Sequence, residues 1–178
     1  MRLIYLALLL TSPLTFSNDL TSLFNDSFKN SSLAFIQSSI NPYTNSIDKS
    51  EGRILKNKDG AIFYVDHPFK EKYELTKDEI IITDIELNQT SRMQLSDLKD
   101  NMLIDILLNG LAVNNSSYDL EFDRDTIFIK SSLGEGYNQI EVKFKENKIY
   151  YLKYNDNLNI ENLIMFKNLA VNWWTFYS

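Results

Sequence analysis

The sequence predicts an α+β fold: a curved antiparallel sheet forming a half-open β-barrel, with helices covering its concave, apolar side. Three observations carry this. Short runs of alternating apolar and polar residues recur, as in Tyr118, Leu120 and Phe122 against Asp119, Glu121 and Asp123, the pattern of strands with one face on a core and one in water. Only two stretches read as helices. About ten strands with one apolar face form a sheet too large to stay flat, because a twisted antiparallel sheet of that size curls. Helices about 10 Å wide on its hollow side would leave apolar wall uncovered.

The chain has 178 residues, 44% of them hydrophobic and 13% aromatic, enough for one domain with its own core. Residues 1–17 carry a positive charge at Arg2, an apolar run from Leu3 to Leu10, Pro13, and the small residues Thr15 and Ser17 at the spacing of a cleavage site. This reads as a secretory signal peptide followed by one domain, 18–178. The apolar run is well short of the roughly 20 residues that cross a bilayer. No cysteine is present to carry a diacylglycerol anchor, so a soluble, exported, monomeric product is expected. A formal charge of -6 argues against nucleic acid as a partner, since phosphate binding needs clustered Lys and Arg.

From Asp19 to Phe35, the apolar residues Leu20, Leu23, Phe24, Phe28 and Phe35 fall largely at helical steps and predict an amphipathic first helix, with Asn41-Pro42 beyond it. Strands are expected at 53–56, 61–65, 72–76, 79–83 and 91–95, separated by turn chemistry such as Asp59-Gly60 and His67-Pro68. Ser96 or Asp97 can cap a second helix from Leu98 to Asn109, stopped by Gly110. Its apolar residues cover more than one stripe, so burial on most sides is expected. Further strands are read at 118–123 and 140–145, then a tight turn at Asn147-Lys148 leads into 149–154, and 160–167 closes the series.

Little in the sequence points to catalysis. His67 is the single histidine and there is no cysteine, so no zinc set can be written. Beside Pro68, His67 is expected to be structural or exposed; a hydrolase would need it as base beside a serine. Asp156 to Glu161 lacks the glycine and ligand spacing of a calcium loop and reads as a plain turn. No nucleophile elbow, P-loop or dinucleotide fingerprint occurs. Neither enzymatic activity nor a cofactor is expected. The apolar stripes by themselves fit packed core as well as a ligand wall.

An ordered series of short motifs adds to this reading: Phe35-Ile36-Gln37, Ser50-Glu51-Gly52, His67-Pro68, and Thr83-Asp84-Ile85-Glu86-Leu87-Asn88-Gln89. The series resembles the LolA family of outer-membrane lipoprotein carriers, which shows F-x-Q near the end of its first helix, S-x-G at the next strand, a proline-containing turn, and a tyrosine-aspartate-proline-acid-leucine-x-glutamine run. Order and spacing agree along most of residues 33–110, and Gln139 to Tyr154, Ile164 to Asn168 and Asn172 look like the family's second half. The family's second-strand arginine, which hydrogen-bonds a covering loop, has no counterpart in Lys56 to Ile62, and Lys77-Asp78-Glu79 replaces its aspartate-glycine turn. Trp173, Trp174, Phe176 and Tyr177 are read as a shortened closing strand or as edge packing.

The resemblance implies a periplasmic chaperone of a Gram-negative cell. It would accept acylated lipoproteins from an inner-membrane lipoprotein-releasing ABC transporter complex and hand them to an outer-membrane lipoprotein receptor. It also admits a periplasmic lipid- or lipoprotein-sensing regulatory domain of the same half-barrel fold. For acyl-chain contact, alternating strand positions single out Phe63, Tyr73, Leu75, Ile81 and Met93 in the first half. The second helix offers Met102, Leu103 and Ile106, the methionine being well suited to irregular chains. The later strands offer Ile140, Val142, Phe144, Ile164 and Phe166.

Overall fold

A computed structural model describes residues 14–29, 32–56, 59–97, 102–132, 139–156 and 158–167, with side chains from Asp19 onward. Helix α1 (Leu14–Phe28) leads into β1 (Ser32–Ile40), β2 (Ile47–Lys56), β3 (Ala61–His67), β4 (Glu71–Leu75), β5 (Glu79–Asp84) and β6 (Gln89–Gln94). A 3-10 turn (Leu95–Asp97) and helix α2 (Met102–Asn109) follow. The chain then returns to strands as β7 (Tyr118–Asp123), β8 (Thr126–Ser131), β9 (Gln139–Lys145), β10 (Lys148–Asn155) and β11 (Glu161–Lys167).

The eleven strands form one antiparallel sheet in the order β6-β5-β4-β3-β2-β1-β11-β10-β9-β8-β7. The long-range pairing of β1 with β11, from Ala34 opposite Lys167 to Ile40 opposite Glu161, joins the two halves. Every other neighbour is a hairpin partner. The sheet ends on β6 and β7, and strands in such number twist it into a curve.

One face, called the inner face here, receives both helices. Leu20, Phe24 and Phe28 of α1 and Ile106 and Leu107 of α2 are buried with Ile127, Ile129, Ile140, Val142, Phe144 and Leu152 of the sheet. Phe24 and Phe28 pack with ring centroids 4.9 Å apart, and Phe28 meets Phe166 edge-on at 5.8 Å. Asn25 fastens α1 to the exit of α2: its Nδ2 donates to the Leu111 carbonyl (2.9 Å) while its Oδ1 accepts from the Leu111 N–H (2.8 Å). Gly110 lies between them at φ +81°, with Asn25 Oδ1 2.5 Å from where a Cβ would stand. Both backbone and space require glycine there.

Several elements differ from the sequence expectation. The first helix ends at Phe28, and Phe35 lies in β1, paired with Phe166 on one side and Gly52 on the other. Phe28 and Phe35 are seven residues apart, two helical turns, so a helical reading runs on across the break. Strand β8 was not foreseen, because Ile127, Phe128 and Ile129 form an apolar run with no alternation. The tight turn falls one residue earlier, at Glu146 and Asn147, both with positive φ, as a two-residue hairpin turn requires. Leu98 lies outside the described residues, as do 1–13 of the expected signal segment, Asn168, Asn172, Trp173, Trp174, Phe176 and Tyr177; α1 begins at Leu14, within that segment.

Candidate functional site

Cross-strand partners in an antiparallel sheet share a face, so the registers define the inner wall. Across the first half, Ile54, Phe63, Tyr73 and Ile82 are successive partners in one row. The next row toward α2 runs Lys56, Ala61, Leu75, Ile80 and Met93. On the other side of the first row, Gly52, Val65, Glu71 and Asp84 change the wall from apolar to acidic. At Gly52 a Cβ would come 1.9 Å from the Tyr64 carbonyl oxygen, so the S-x-G glycine permits the close approach of β3.

Cover on this wall is uneven. In the second half, Ile127, Ile129, Val142 and Leu152 are fully buried beneath α1 and α2. In the first half Ile54 is buried with the main cluster, and Ala61, Leu75 and Ile80 form a smaller buried group packed by Ile104 and Leu108 of α2 and by Leu95. Phe63, Val65, Tyr73 and Ile82 remain half-buried, and Met93 is 41% exposed.

Phe63, Met102, Leu103, Ile106, Ile140, Val142, Phe144, Ile164 and Phe166 therefore come together in the main cluster, and Tyr73, Leu75 and again Phe63 in the second. Ile140, Val142, Phe144 and Ile106 are core residues in this arrangement, reachable by a guest only if a helix moves. Ile81 is on the opposite face, between Glu74 and Arg92. Its neighbours Ile80 and Ile82 take the inner positions: in a run of three isoleucines the sequence gives no phase, and a one-residue shift exchanges the faces.

The bonding of the wall's polar groups was not legible in the sequence, although Gln37 and Tyr73 were singled out there. Gln37 Nε2 donates to Asn162 Oδ1 (3.0 Å) and to Ser39 Oγ (3.2 Å), and Ser39 Oγ donates to Asn162 (2.7 Å). The Tyr73 hydroxyl donates to Glu71 at 2.6 Å; burial first, and this bond second, push its pKa up to about 12. Burial pushes Tyr154, across from Asn162, up to about 12 as well. Lys56, at the end of its row, has its pKa lowered by burial.

Other chemistry is sparse. His67 is exposed, 3.9 Å from Glu51. Asp156 Oδ1 accepts the N–H groups of Leu158 and Ile160, so the aspartate is used by its own turn. Among the described residues no group of His, Cys, Asp or Glu could hold a metal, and no helix is long and apolar enough to cross a membrane.

No protein-family profile matches the chain, and no curated protein sequence does. Among solved structures it is similar to a LolA superfamily protein from Nitrosomonas europaea, at TM-score 0.43 and 10% identity over 85% of this chain and 91% of that one. It is similar also to a DUF1329 family protein from Desulfovibrio piger, at TM-score 0.44 and 10% identity over 91% and 96%. A third is a domain from Vibrio parahaemolyticus described as an outer membrane lipoprotein-sorting protein, at TM-score 0.44 and 9% identity over 90% and 94%. Likenesses at this level leave the role to be argued from the chain itself.

Proposed function

We propose that the sheet is a half-open barrel whose hollow, only partly filled by α1 and α2, accepts the acyl chains of a lipoprotein. The protein would then be a periplasmic carrier that receives acylated lipoproteins from an inner-membrane releasing transporter and passes them to an outer-membrane receptor. The observation that carries this reading is the uneven cover: the apolar inner wall continues through Phe63, Tyr73, Ile82 and Met93, which stay half-buried or exposed although α2 reaches the row beside them, while the other half is fully buried. The motif series from Phe35 to Gln89 points the same way.

The energetics suit a carrier. Each buried methylene contributes about 0.8 kcal/mol, so about ten methylenes on the open part of the wall give about 8 kcal/mol, a micromolar dissociation constant. That is tight enough to keep cargo out of water and loose enough to release it. Full enclosure of several chains would hold them almost irreversibly. Displacing α2 to lengthen the wall costs the contacts of Ile106 and Leu107, which lowers the net affinity further.

The test is transfer. Purified protein is incubated with membranes that carry a triacylated lipoprotein and an active releasing complex, and the cargo is expected in the soluble fraction bound to the protein. Cargo that stays in the pellet refutes the carrier. Depletion in cells distinguishes the sensing alternative: loss of a carrier strands lipoproteins at the inner membrane, whereas loss of a sensor alters a response and leaves their location unchanged.

A further inference from the structure

The loops at the two ends of the sheet differ in kind. At one end, which the β8–β9 connection and the link from α2 to β7 also reach, lie the connections β1–β2, β3–β4, β5–β6 and β10–β11, and each of these four holds a large apolar side chain in water: Tyr43 is 78% exposed, Phe69 66%, Leu87 66% and Leu158 67%. Ile47 and Ile85 beside them are exposed as well. At the opposite end, the described residues of the connections β2–β3, β4–β5, β7–β8 and β9–β10 are polar or glycine throughout. Folding gains nothing from the apolar tips, and no described residue covers them.

Their spacing narrows what does. From the β5–β6 tip to the β10–β11 tip there are six strand spacings, roughly 30 Å along the rim, and the side chains stand on separate loops. A protein partner would need a matching pocket for each, since interface energy concentrates in contiguous, well-packed anchors. A bilayer interface takes separate apolar and aromatic tips without shaped pockets. Charge selects the lipid. Asp48, Asp66 and Glu86 are exposed at or beside these tips with no ion-pair partner among the described residues, and with Asp84 and Asp156 they outnumber the exposed Lys49 and Lys70 there, leaving the rim acidic. They repel anionic headgroups and complement the outermost ammonium of a zwitterionic one.

We propose that this end of the sheet docks on a membrane surface rich in ammonium-bearing zwitterionic phospholipid, phosphatidylethanolamine above all, with Tyr43, Phe69, Leu87 and Leu158 entering the interface. The inference goes beyond the carrier reading and does not depend on it: a protein that binds no acyl chain would still dock.

The experiment is sedimentation of the protein, purified from the cells that make it, with vesicles of phosphatidylethanolamine and phosphatidylcholine. Wild-type protein is expected in the pellet, and replacing part of the lipid by phosphatidylglycerol is expected to weaken binding. The triple variant Tyr43→Ser, Phe69→Ser, Leu87→Ser is expected to lose about tenfold in partitioning while keeping its thermal melt. Because the chain has no cysteine, a polarity-sensitive dye can be placed by Leu87→Cys at the docking end or by Lys77→Cys at the other, and only the first is expected to shift on adding vesicles. Three outcomes overturn the proposal. Wild-type protein that stays in solution leaves the tips to a protein partner. A triple variant that binds as well as wild type assigns binding to another segment, such as the apolar run of residues 3–10. Binding that requires phosphatidylglycerol reverses the charge argument.

Discussion

Tyr73 shows how the inner wall treats a polar group: its ring lines the apolar row while its hydroxyl donates to Glu71. Three tyrosines are held protonated in the folded state, each pushed up to about 12. For Tyr73 and Tyr154 burial is the main cause; for Tyr151 it is the hydrogen bond to Glu141. A phenol whose folded pKa is raised keeps a proton that the unfolded chain gives up near pH 10. Its contribution is therefore complete below about pH 10 and is lost as the pH climbs toward about 12. A near-ultraviolet titration should show late phenolate formation coinciding with loss of structure, and early ionisation of all tyrosines while the fold persists would contradict it. Lys56 shifts the other way, and mass spectrometry after brief acylation near neutral pH should find it modified ahead of exposed lysines such as Lys49. The motif residues also gain physical reasons at this scale. Phe35 enters the core and Gln37 bonds Asn162 across the seam between β1 and β11, a contact between residues far apart in sequence that no local pattern announces.

Elements were legible where one face meets water and the other meets the core. Strands β7 and β9 alternate cleanly and were found; β8, apolar on both sides through Ile127, Phe128 and Ile129, was not. The end of α1 was hidden because the step from Phe28 to Phe35 fits two helical turns, so only pairing with β2 and β11 reveals β1. Two contacts between elements give quantitative expectations. Asn25→Ala removes both hydrogen bonds to Leu111 and should lower stability by about 2 kcal/mol, measured by denaturant unfolding; an unchanged midpoint would mean that α1 is held by its phenylalanines alone. Gly52→Ala places a methyl group against the Tyr64 carbonyl, and forcing β2 from β3 should cost at least about 2 kcal/mol.

For the whole molecule, the sequence led correctly to a large antiparallel sheet with two helices among the described residues. It could not reveal which half of the wall stays open, since that depends on where an eight-residue α2 and α1 come to rest. If the open half receives acyl chains, a bound lipid stabilises the folded state by mass action, adding about 2.7 kcal/mol at a hundredfold excess over its dissociation constant. The melting temperature should then rise with concentration of a long-chain acylated peptide and not with its short-chain analogue. A melt indifferent to chain length would place no acyl site on the wall.

The two borders of the sheet are not alike. Border strand β7 shows water Asp119, Glu121 and Asp123, an acidic row that Lys130 of β8 offsets only at Glu121 and that still repels a second copy, whereas β6, Gln-Thr-Ser-Arg-Met-Gln, is exposed along its whole length with a single charge and no proline. Crowded molecules can thus zip together along one side only. Association at millimolar concentration should stop at pairs, visible by analytical ultracentrifugation, and fibres should appear only when the acidic row of β7 is neutralised.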